Sequence, residues 1–145
     1  MNRPTDPLIV RQLRDAERAL EVGIGDRTEV AAGLRDAGVD VRATDVRPVS
    51  VPDGVRFRVE DVTSLDDPDD FHLVDVIYAL NCPPELHRPI RELAAAVGAT
   101  FRFTTLGFDE PSIPVKRKTL AGEGGTPRVT LYTATIRDQQ GRNDV

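Results

Sequence analysis

Apolar and polar positions divide this chain of 145 residues into segments of two kinds. Three segments have apolar residues at helical spacing, and they cover residues 6 to about 18, 26–38 and 84–98. Six shorter segments have the continuous or alternating apolar pattern of strands, and they cover residues 19–22, 39–45, 55–60, 74–80, 99–106 and 128–136. This alternation predicts an α/β domain with a mostly parallel, doubly wound sheet of about six strands. The last strand could pair antiparallel at the sheet edge.

The other segments predict connections within a single domain of residues 1–145, because the chain leaves little room for a second. Residues 107–127 contain three prolines and four glycines, so we expect a mobile loop there. The polar residues 138–145 predict a frayed tail. Residues 66–70 contain four acids at a spacing that matches no calcium loop, which predicts a solvated loop and no metal site.

Local signals predict where the helices begin, end or bend. Asp6 precedes Pro7, so its side chain is expected at the N-cap of the first helix. Asp26 precedes Glu29 by three residues, which is the spacing of a capping box. Pro89 lies inside the third helical segment and predicts a kink or a restart.

A polar residue closes or follows each of the first four predicted strands. These residues are Glu21, Asp45, Asp61 and Asn81. The carboxyl ends of parallel strands share one edge of a sheet, and ligands bind at that edge where the strand order reverses. Each residue alone could instead cap a helix or open a turn. The four together favour a ligand site at this edge.

Gly23 and Gly25 follow the first strand in a sharp turn, which is typical of a nucleotide-type site. Glycine lets the backbone approach a ligand, and an acid about 20 residues later, here Asp45, can accept hydrogen bonds from ribose hydroxyls. The third glycine of the common fingerprints is absent. Gly-x-Gly-x-x-Gly needs glycine or alanine where this chain has Thr28, and Gly-x-Gly-x-Gly needs glycine where it has Arg27. The glycines therefore leave the ligand open.

Glu21 favours one class of ligand, because an acid at the end of a buried strand is costly without a partner. A cationic amino group, such as that of S-adenosylmethionine, would provide a partner, whereas a pyrophosphate would be repelled. Asp45 could then accept from the ribose, and Asp61 could accept from an adenine amino group. These residues favour S-adenosylmethionine, a small-molecule nucleoside ligand, over a dinucleotide.

From about residue 18 to residue 106 the sequence resembles the class I S-adenosylmethionine-dependent methyltransferases. The matching segments are Glu-Val-Gly-Ile-Gly, Thr-Asp-Val, Glu-Asp-Val and residues 81–84. The resemblance implies a three-layer, Rossmann-like fold. It also implies that Glu21, Gly23 and Gly25 hold the methionine part of the cofactor, Asp45 the ribose and Asp61 the adenine, with Asn81 completing the cofactor site.

The chain is more closely similar to a small archaeal family of uncharacterised proteins with a trimmed version of this fold. The segments Glu-Val-Gly-Ile-Gly, Val-Glu-Asp-Val-Thr and Ile-Tyr-Ala-Leu-Asn-Cys-Pro-Pro-Glu-Leu carry this similarity. It implies a fold and no established activity.

Several departures from the methyltransferase pattern concern catalysis. Arg27 replaces the last glycine and would either crowd the cofactor or reach its carboxylate. Methyltransferases that act on amino nitrogens often have Asn or Asp, then Pro-Pro and an aromatic residue, after the fourth strand. Here Cys82 is inserted after Asn81, and Glu85 replaces the aromatic residue. Residues 107–127 alone could serve in place of the usual substrate-binding additions.

Three hypotheses follow, and we favour them in this order: a methyltransferase of unknown acceptor, a non-catalytic module that binds S-adenosylmethionine or another nucleoside, and a structural interaction protein. In the first, Asn81 and the carbonyl beside Pro83 would orient an amine, and Glu85 could accept a proton. Glu85 at a helix start is more often a first-turn acid. We assign no catalytic residue.

The remaining candidate side chains are expected to be structural. Cys82 is expected as a small buried hydrophobe rather than a nucleophile, and Tyr78 as a core residue. His72 and His87 lack the spacing of a metal or catalytic set, and we expect each at the surface or at a helix end.

Composition limits the class and location of the protein. A net charge of −5 disfavours a general nucleic-acid binder, although residues 116–118 (Lys-Arg-Lys) leave a local contact open. The single cysteine cannot form an internal disulfide, and no segment resembles a signal peptide or a membrane span. We expect a cytoplasmic protein. The excess of Asp over Glu and of Arg over Lys fits a GC-rich genome or a salt-adapted host.

Overall fold

A computed structural model describes residues 3–136. The expected tail, residues 138–145, lies outside the described residues. The helices are α1 (Asp6–Leu13), α2 (Glu29–Asp36) and α3 (Pro84–Val97). The strands are β1 (Arg18–Val22), β2 (Asp40–Asp45), β3 (Arg56–Val59), β4 (Val76–Ala79), β5 (Thr100–Phe103), β6 (Val115–Ala121) and β7 (Arg128–Ala134). Short 3₁₀ turns lie at Val62–Ser64, Asp70–His72 and Glu123–Gly125.

The strands form one sheet in the order β3-β2-β1-β4-β5-β7-β6. The first five are parallel, and β7 pairs antiparallel with both β5 and β6. The predicted α/β, mostly parallel, Rossmann-like fold is confirmed. The expectation of about six strands misses β6, and the last strand lies between β5 and β6 rather than at the sheet edge.

Apolar side chains pack on both faces of the sheet and form three layers. On one face, Ile9 of α1 and Leu34 of α2 pack against Ala19 and Val41. On the other face, Ile90 of α3 packs with Leu20, Ile77 and Phe101. Alternate residues of β1 therefore face different layers, and Glu21 shares the α1–α2 side with Ala19.

Helix α1 packs closely on α2 because Gly33 has no side chain. A Cβ atom built at Gly33 would lie 2.8 Å from Cγ2 of Val10. A contact this short is not tolerated between carbon atoms, so a larger residue at Gly33 would force the side chain of Val10 or α1 to shift.

Several predicted boundaries are wrong. Helix α1 ends at Leu13 and not near residue 18, because residue 18 already pairs with β2. Thr5 and Thr28, not Asp6 and Asp26, occupy the N-cap positions of α1 and α2, and neither cap makes a side-chain hydrogen bond. The expected ends at Gly38 and Gly98 are confirmed, since each follows its helix with a positive φ, 96° and 76°.

Two proline- and glycine-rich features also differ from expectation. Helix α3 continues through Pro89, so the expected restart is wrong, whereas the alternative of a kink stays a prediction. Residues 107–127, expected to be a loop throughout, contain all of β6. The regular backbone pairing of β6 with β7 over seven residue pairs outweighs the local composition.

Candidate functional site

The strand order reverses between β1 and β4, and the two connections at this point have unusual backbone conformations. Gly23 and Gly25, in the turn after β1, have φ of 76° and 56°. Asn81 follows β4 and has φ of 51°, which is rare for a residue with a side chain. Strained residues of this kind cluster at functional sites, and ligands of doubly wound sheets bind at this reversal.

The glycine turn is attached to the end of β2. Backbone N–H groups of Gly23 and Ile24 donate to the carbonyl of Thr44 at 2.9 and 3.1 Å. The N–H of Gly25 donates to Oδ2 of Asp45 at 2.8 Å. A Cβ atom at either glycine would meet no heavy atom within 4 Å, so the space in front of the turn is open. The turn thus presents bare backbone to open space that a ligand could occupy.

Asp45 is the acid that organises this edge. Its Oδ1 accepts from the N–H of Arg47 at 3.1 Å, while Oδ2 holds Gly25, and the residue is only 8% exposed. Each carboxylate oxygen accepts more than one hydrogen bond. Asp45 can therefore hold the turn and still accept from a hydroxyl group of a ligand.

Glu21 lies inside the protein and not on the surface of the glycine turn. It pairs with Tyr78 in the β1–β4 register, and both residues are buried. Oε1 of Glu21 and the hydroxyl of Tyr78 form no hydrogen bond of good geometry with any described residue. The two side chains are nevertheless close enough for a weak hydrogen bond between them. Burial raises the pKa of Glu21 from 4.5 to about 8, and proximity to Tyr78 and Arg27 lowers it only in part. Glu21 is therefore mostly protonated at neutral pH.

This protonation changes the argument about the ligand. A neutral Glu21 does not repel a pyrophosphate, so the electrostatic preference for a sulfonium nucleoside is weaker than the sequence implied. The same acid would ionise readily beside a ligand cation, because a nearby positive charge favours the carboxylate. A buried acid whose oxygen lacks a well-formed hydrogen bond is the chemistry that an ammonium group would satisfy.

Arg27 is paired with Asp6 of α1. Its Nη2 lies 2.7 Å from Oδ1 of Asp6, and both side chains are largely buried. Nε of Arg27 has no hydrogen-bond partner among the residues that the structure describes. The ion pair links the segment after the glycine turn to α1. The guanidinium group of Arg27, which was expected to crowd or contact a cofactor, therefore already has one of its nitrogen atoms bonded to Asp6.

Asp61 and Asn81 complete the row of residues at the carboxyl edge. Asp61 is exposed and caps the 3₁₀ turn after β3, where its Oδ1 accepts from the hydroxyl and N–H of Thr63 at 2.6 and 2.9 Å. These hydrogen bonds lower the pKa of Asp61, so it stays ionised. The N–H of Asn81 donates to Oγ1 of Thr104 at 2.8 Å, which joins the β4 and β5 connections.

The two histidines were expected at the surface or at helix ends, and both are fully buried instead. Nε2 of His72 lies 2.8 Å from Oε1 of Glu60, and its Nδ1 accepts from the N–H of Asp69 at 3.0 Å. His87 lies within α3, and burial lowers its pKa. Each ring has one partner close in sequence, Asp69 for His72 and Cys82 for His87. The other partner is more distant, Glu60 for His72 and Ser112 for His87, and no sequence pattern indicated these contacts.

His87 connects two segments beside Asn81. Its Nε2 lies 3.1 Å from the carbonyl of Cys82, and its Nδ1 accepts from the N–H of Ser112 at 3.1 Å. The hydroxyl of Ser112 donates to the carbonyl of Pro84 at 2.8 Å. The loop after β5 is thereby attached to residues 82–84, a contact that sequence analysis missed.

Two expected core residues are confirmed as buried. Cys82 is 1% exposed, and burial raises the pKa of its thiol to about 12. The thiolate is therefore scarce at neutral pH, which opposes a nucleophilic role. Tyr78 is fully buried.

Among residues 3–136, no three His, Cys, Asp or Glu side chains converge as a metal site would require. Over the same residues, each helix is too short or too polar to cross a membrane.

Solved structures of low sequence identity share the fold. An RNA methyltransferase from Salinibacter ruber in complex with S-adenosyl-L-homocysteine has a TM-score of 0.59 at 19% identity, and the match covers 95% of each chain. Magnesium protoporphyrin IX methyltransferase from Synechocystis with bound S-adenosylmethionine has a TM-score of 0.57 at 12% identity, covering 88% of this chain and 73% of the enzyme. The methyltransferase-like fold is therefore confirmed.

Sequence relatives identify the family. A UPF0146 protein of Halobacterium salinarum is 44% identical over 118 residues, which cover 79% of this chain and 89% of the relative. A UPF0146 protein of Archaeoglobus fulgidus is 43% identical over 82 residues, or 57% of this chain and 62% of the relative. The profile of the uncharacterised protein family UPF0146 matches residues 1–129. The expected similarity to a small archaeal family is confirmed, and the chain belongs to UPF0146.

Proposed function

We propose that this protein binds S-adenosylmethionine at the carboxyl edge of β1, β2 and β3 and transfers its methyl group to an acceptor near Asn81. One observation carries the proposal. Gly23 and Gly25 present open backbone at the strand reversal, and Asp45 is bonded to Gly25 beside that space. This combination suits the close approach of a nucleoside whose ribose hydroxyls need an acceptor.

The other residues suit the remaining parts of the cofactor to different degrees. The ionised Asp61 would accept from the adenine amino group, and Asn81 would line the side toward β4. Glu21 suits the ammonium group chemically, because its Oε1 forms no hydrogen bond of good geometry with any described residue. Because Glu21 is buried, its side chain or the residues that cover it would have to move before the ammonium group could reach it.

Bound S-adenosylmethionine would supply an activated methyl group on a sulfonium centre, so that the protein mainly has to position the acceptor. The segment 81–84 is suited to this role, since Thr104, His87 and Ser112 hold it in one conformation. The amide of Asn81 and the carbonyl of Pro83 would orient an amine. Glu85 is exposed at the start of α3 and would take up the proton that the amine loses.

A second candidate function is a module that binds the nucleoside without transfer. The Arg27–Asp6 pair favours it, because this pair ties the glycine-turn segment to α1 in a position where methyltransferases usually have glycine. In this case S-adenosylmethionine and S-adenosylhomocysteine would bind and no acceptor would be methylated.

Calorimetric titration with S-adenosylmethionine, S-adenosylhomocysteine and NAD tests the proposed binding. We expect both adenosyl ligands to bind, NAD to bind more weakly, and Asp45→Ala to lose the binding. Asp67→Ala, which changes an exposed acid of the 66–70 loop, is the matched control and should bind as the original protein does. Retained folding of Asp45→Ala is checked by thermal melting. No binding at millimolar ligand by the folded protein would refute the proposal, and preferential binding of NAD would replace it.

A further inference from the structure

A fully buried histidine, His72, ends the short 3₁₀ turn in the connection between β3 and β4. Its Nδ1 accepts a hydrogen bond from the N–H of Asp69 at 3.0 Å. A ring nitrogen that accepts carries no proton, so the proton of the neutral ring is on Nε2. Nε2 therefore donates to the carboxylate of Glu60, whose Oε1 and Oε2 lie at 2.8 and 3.1 Å. The ring thus joins Glu60 to the turn.

Glu60 connects the two acids that are assigned to the ribose and to the adenine. Its N–H donates to the carbonyl of Asp45 at 2.9 Å, and Asp61 follows it in the chain. The side chain of Glu60 is 12% exposed, and Nη1 of Arg58 lies 3.6 Å from its Oε2. The contact with His72 is shorter, at 2.8 Å. The backbone of Glu60 is therefore fixed by β2, and its side chain is fixed chiefly by the histidine.

Two arginines attach the turn that carries His72 to the sheet. Arg42 of β2 is buried, and its Nη1 donates to the carbonyls of Asp70 and Phe71 at 2.8 and 2.9 Å. The guanidinium of Arg58, in β3, lies over the ring of Phe71 at 4.4 Å from its centroid. These contacts fix the turn on β2 and β3, so the histidine presents its donor nitrogen from a firmly held support.

Asp61 itself is oriented by local contacts. Its Oδ1 accepts from the hydroxyl and N–H of Thr63, and its carbonyl accepts from the N–H of Ser64 at 3.1 Å. These partners lie in the turn that follows and move together with Asp61, so they set only the direction of the carboxylate. The position of Asp61 relative to Asp45 depends on Glu60, the residue that connects them.

We infer that His72 is a positioning residue that selects the base of the bound nucleoside. By holding Glu60, it keeps Asp61 in the position relative to Asp45 at which one ligand can reach both acids. An adenine amino group would donate to the carboxylate of Asp61, whereas hypoxanthine has a carbonyl oxygen at the same place and would be repelled. The inference rests on the proposed function, which assigns Asp45 to the ribose and Asp61 to the base.

Calorimetric titration with S-adenosylhomocysteine and S-inosylhomocysteine, which differ at that amino group, tests the inference. The original protein should bind the adenosyl ligand at least about tenfold more tightly. His72→Asn should lose most of this selectivity, because the shorter amide can replace Nδ1 but cannot reach Glu60. His72→Gln, whose longer amide can donate to Glu60, should retain it.

Two further variants separate positioning from stability. Glu60→Ala removes the same hydrogen bond from its less buried partner, and it should reduce the selectivity as His72→Asn does. Gly38→Ala changes a residue of positive φ after α2, and it should lower stability without a change in selectivity. Thermal melting identifies the variants that are folded.

Unchanged selectivity in folded His72→Asn or Glu60→Ala would overturn the inference. An equal loss in His72→Gln and His72→Asn would also overturn it, because the contact with Glu60 would then not be the cause. Equal affinity of the original protein for the two ligands would overturn the inference and retain the proposed nucleoside binding. Failure of the folded protein to bind either ligand would refute the proposed function and the inference together.

Discussion

Oδ2 of Asp45 accepts a hydrogen bond from the N–H of Gly25 at 2.8 Å, and this bond joins the end of β2 to the turn after β1. The two residues are 20 positions apart, with the whole of α2 between them. The bond keeps the glycine turn open toward the strand reversal and makes the acid and the turn parts of one site.

Replacing Gly25 by alanine should weaken ligand binding more than it weakens the fold. Gly25 has a positive φ, so an L side chain there costs about 1–2 kcal/mol. The added methyl group would also project into the open space and should lower affinity for S-adenosylhomocysteine by at least about tenfold. Calorimetry and urea denaturation measure the two effects separately.

Gly38→Ala is the matched control, because Gly38 also has a positive φ and open space but lies after α2, away from the site. It should show a similar loss of stability with unchanged affinity. Equal affinity of the two variants would contradict the assignment of the turn to the ligand site.

Glu21 should make the protein less stable as the pH rises. Burial raises its folded pKa from 4.5 to about 8, so the folded state keeps a proton that the unfolded chain releases between these values. The free energy of unfolding should therefore fall over this pH range, by at most about 5 kcal/mol for a shift of this size. Glu21→Gln, which cannot ionise, should show a flatter pH dependence in urea denaturation at pH 5 and pH 8.

The control for this prediction is Glu92→Gln, which changes an exposed acid of α3. It should follow the pH dependence of the original protein. A Glu21→Gln profile that also follows the original protein would show that another group causes the dependence.

Binding of S-adenosylmethionine should release protons at pH 7 if its ammonium group reaches Glu21. The acid is mostly protonated in the free protein, and a neighbouring cation would lower its pKa and ionise it. Titrations in two buffers of different ionisation enthalpy measure the number of protons released. We expect a release approaching one proton in the original protein and close to none in Glu21→Gln. Proton-independent binding by the original protein would mean that Glu21 has a structural role only.

The pair of Asp6 and Arg27 should contribute to stability chiefly because breaking it leaves one charge buried alone. Each single variant, Asp6→Ala or Arg27→Met, should lower the free energy of unfolding, with an upper limit of about 5 kcal/mol. The double variant should lose less than the sum of the two, since neither charge remains uncompensated. Denaturant unfolding of all four proteins gives the coupling energy.

The exposed pair of Arg35 and Asp36, whose side chains are 33% and 70% exposed, is the comparison. Removing Asp36 should cost less than about 1 kcal/mol, because exposed ion pairs are screened by solvent. A coupling between Asp6 and Arg27 no larger than this would contradict the account of a buried link between α1 and the glycine-turn segment.

The sequence by itself determined the fold class and the row of residues at the carboxyl edge. Asp45, Asp61 and Asn81 were predicted there because apolar runs mark strands and polar residues end or follow them. Glu21 was predicted to close β1, but the strand continues to Val22 and Glu21 is buried within it. In parallel strands these ends share one edge, so their order along the chain already implied a common location. Strand β6 was not predicted, and β7 was predicted at the wrong position in the sheet. Both strands pair antiparallel, and this pairing determines their positions more than their local sequence pattern does.

Only the tertiary structure decided how the site residues are oriented and charged. Period-two alternation places Glu21 on the α1–α2 side, but its desolvation beside Tyr78 depends on how closely the layers pack. The partners of Arg27 and His87 come from α1 and from the loop after β5, respectively. Local pattern reflects which face a residue occupies. Burial, protonation and hydrogen bonding depend on segments distant along the chain, and these meet only when the fold forms.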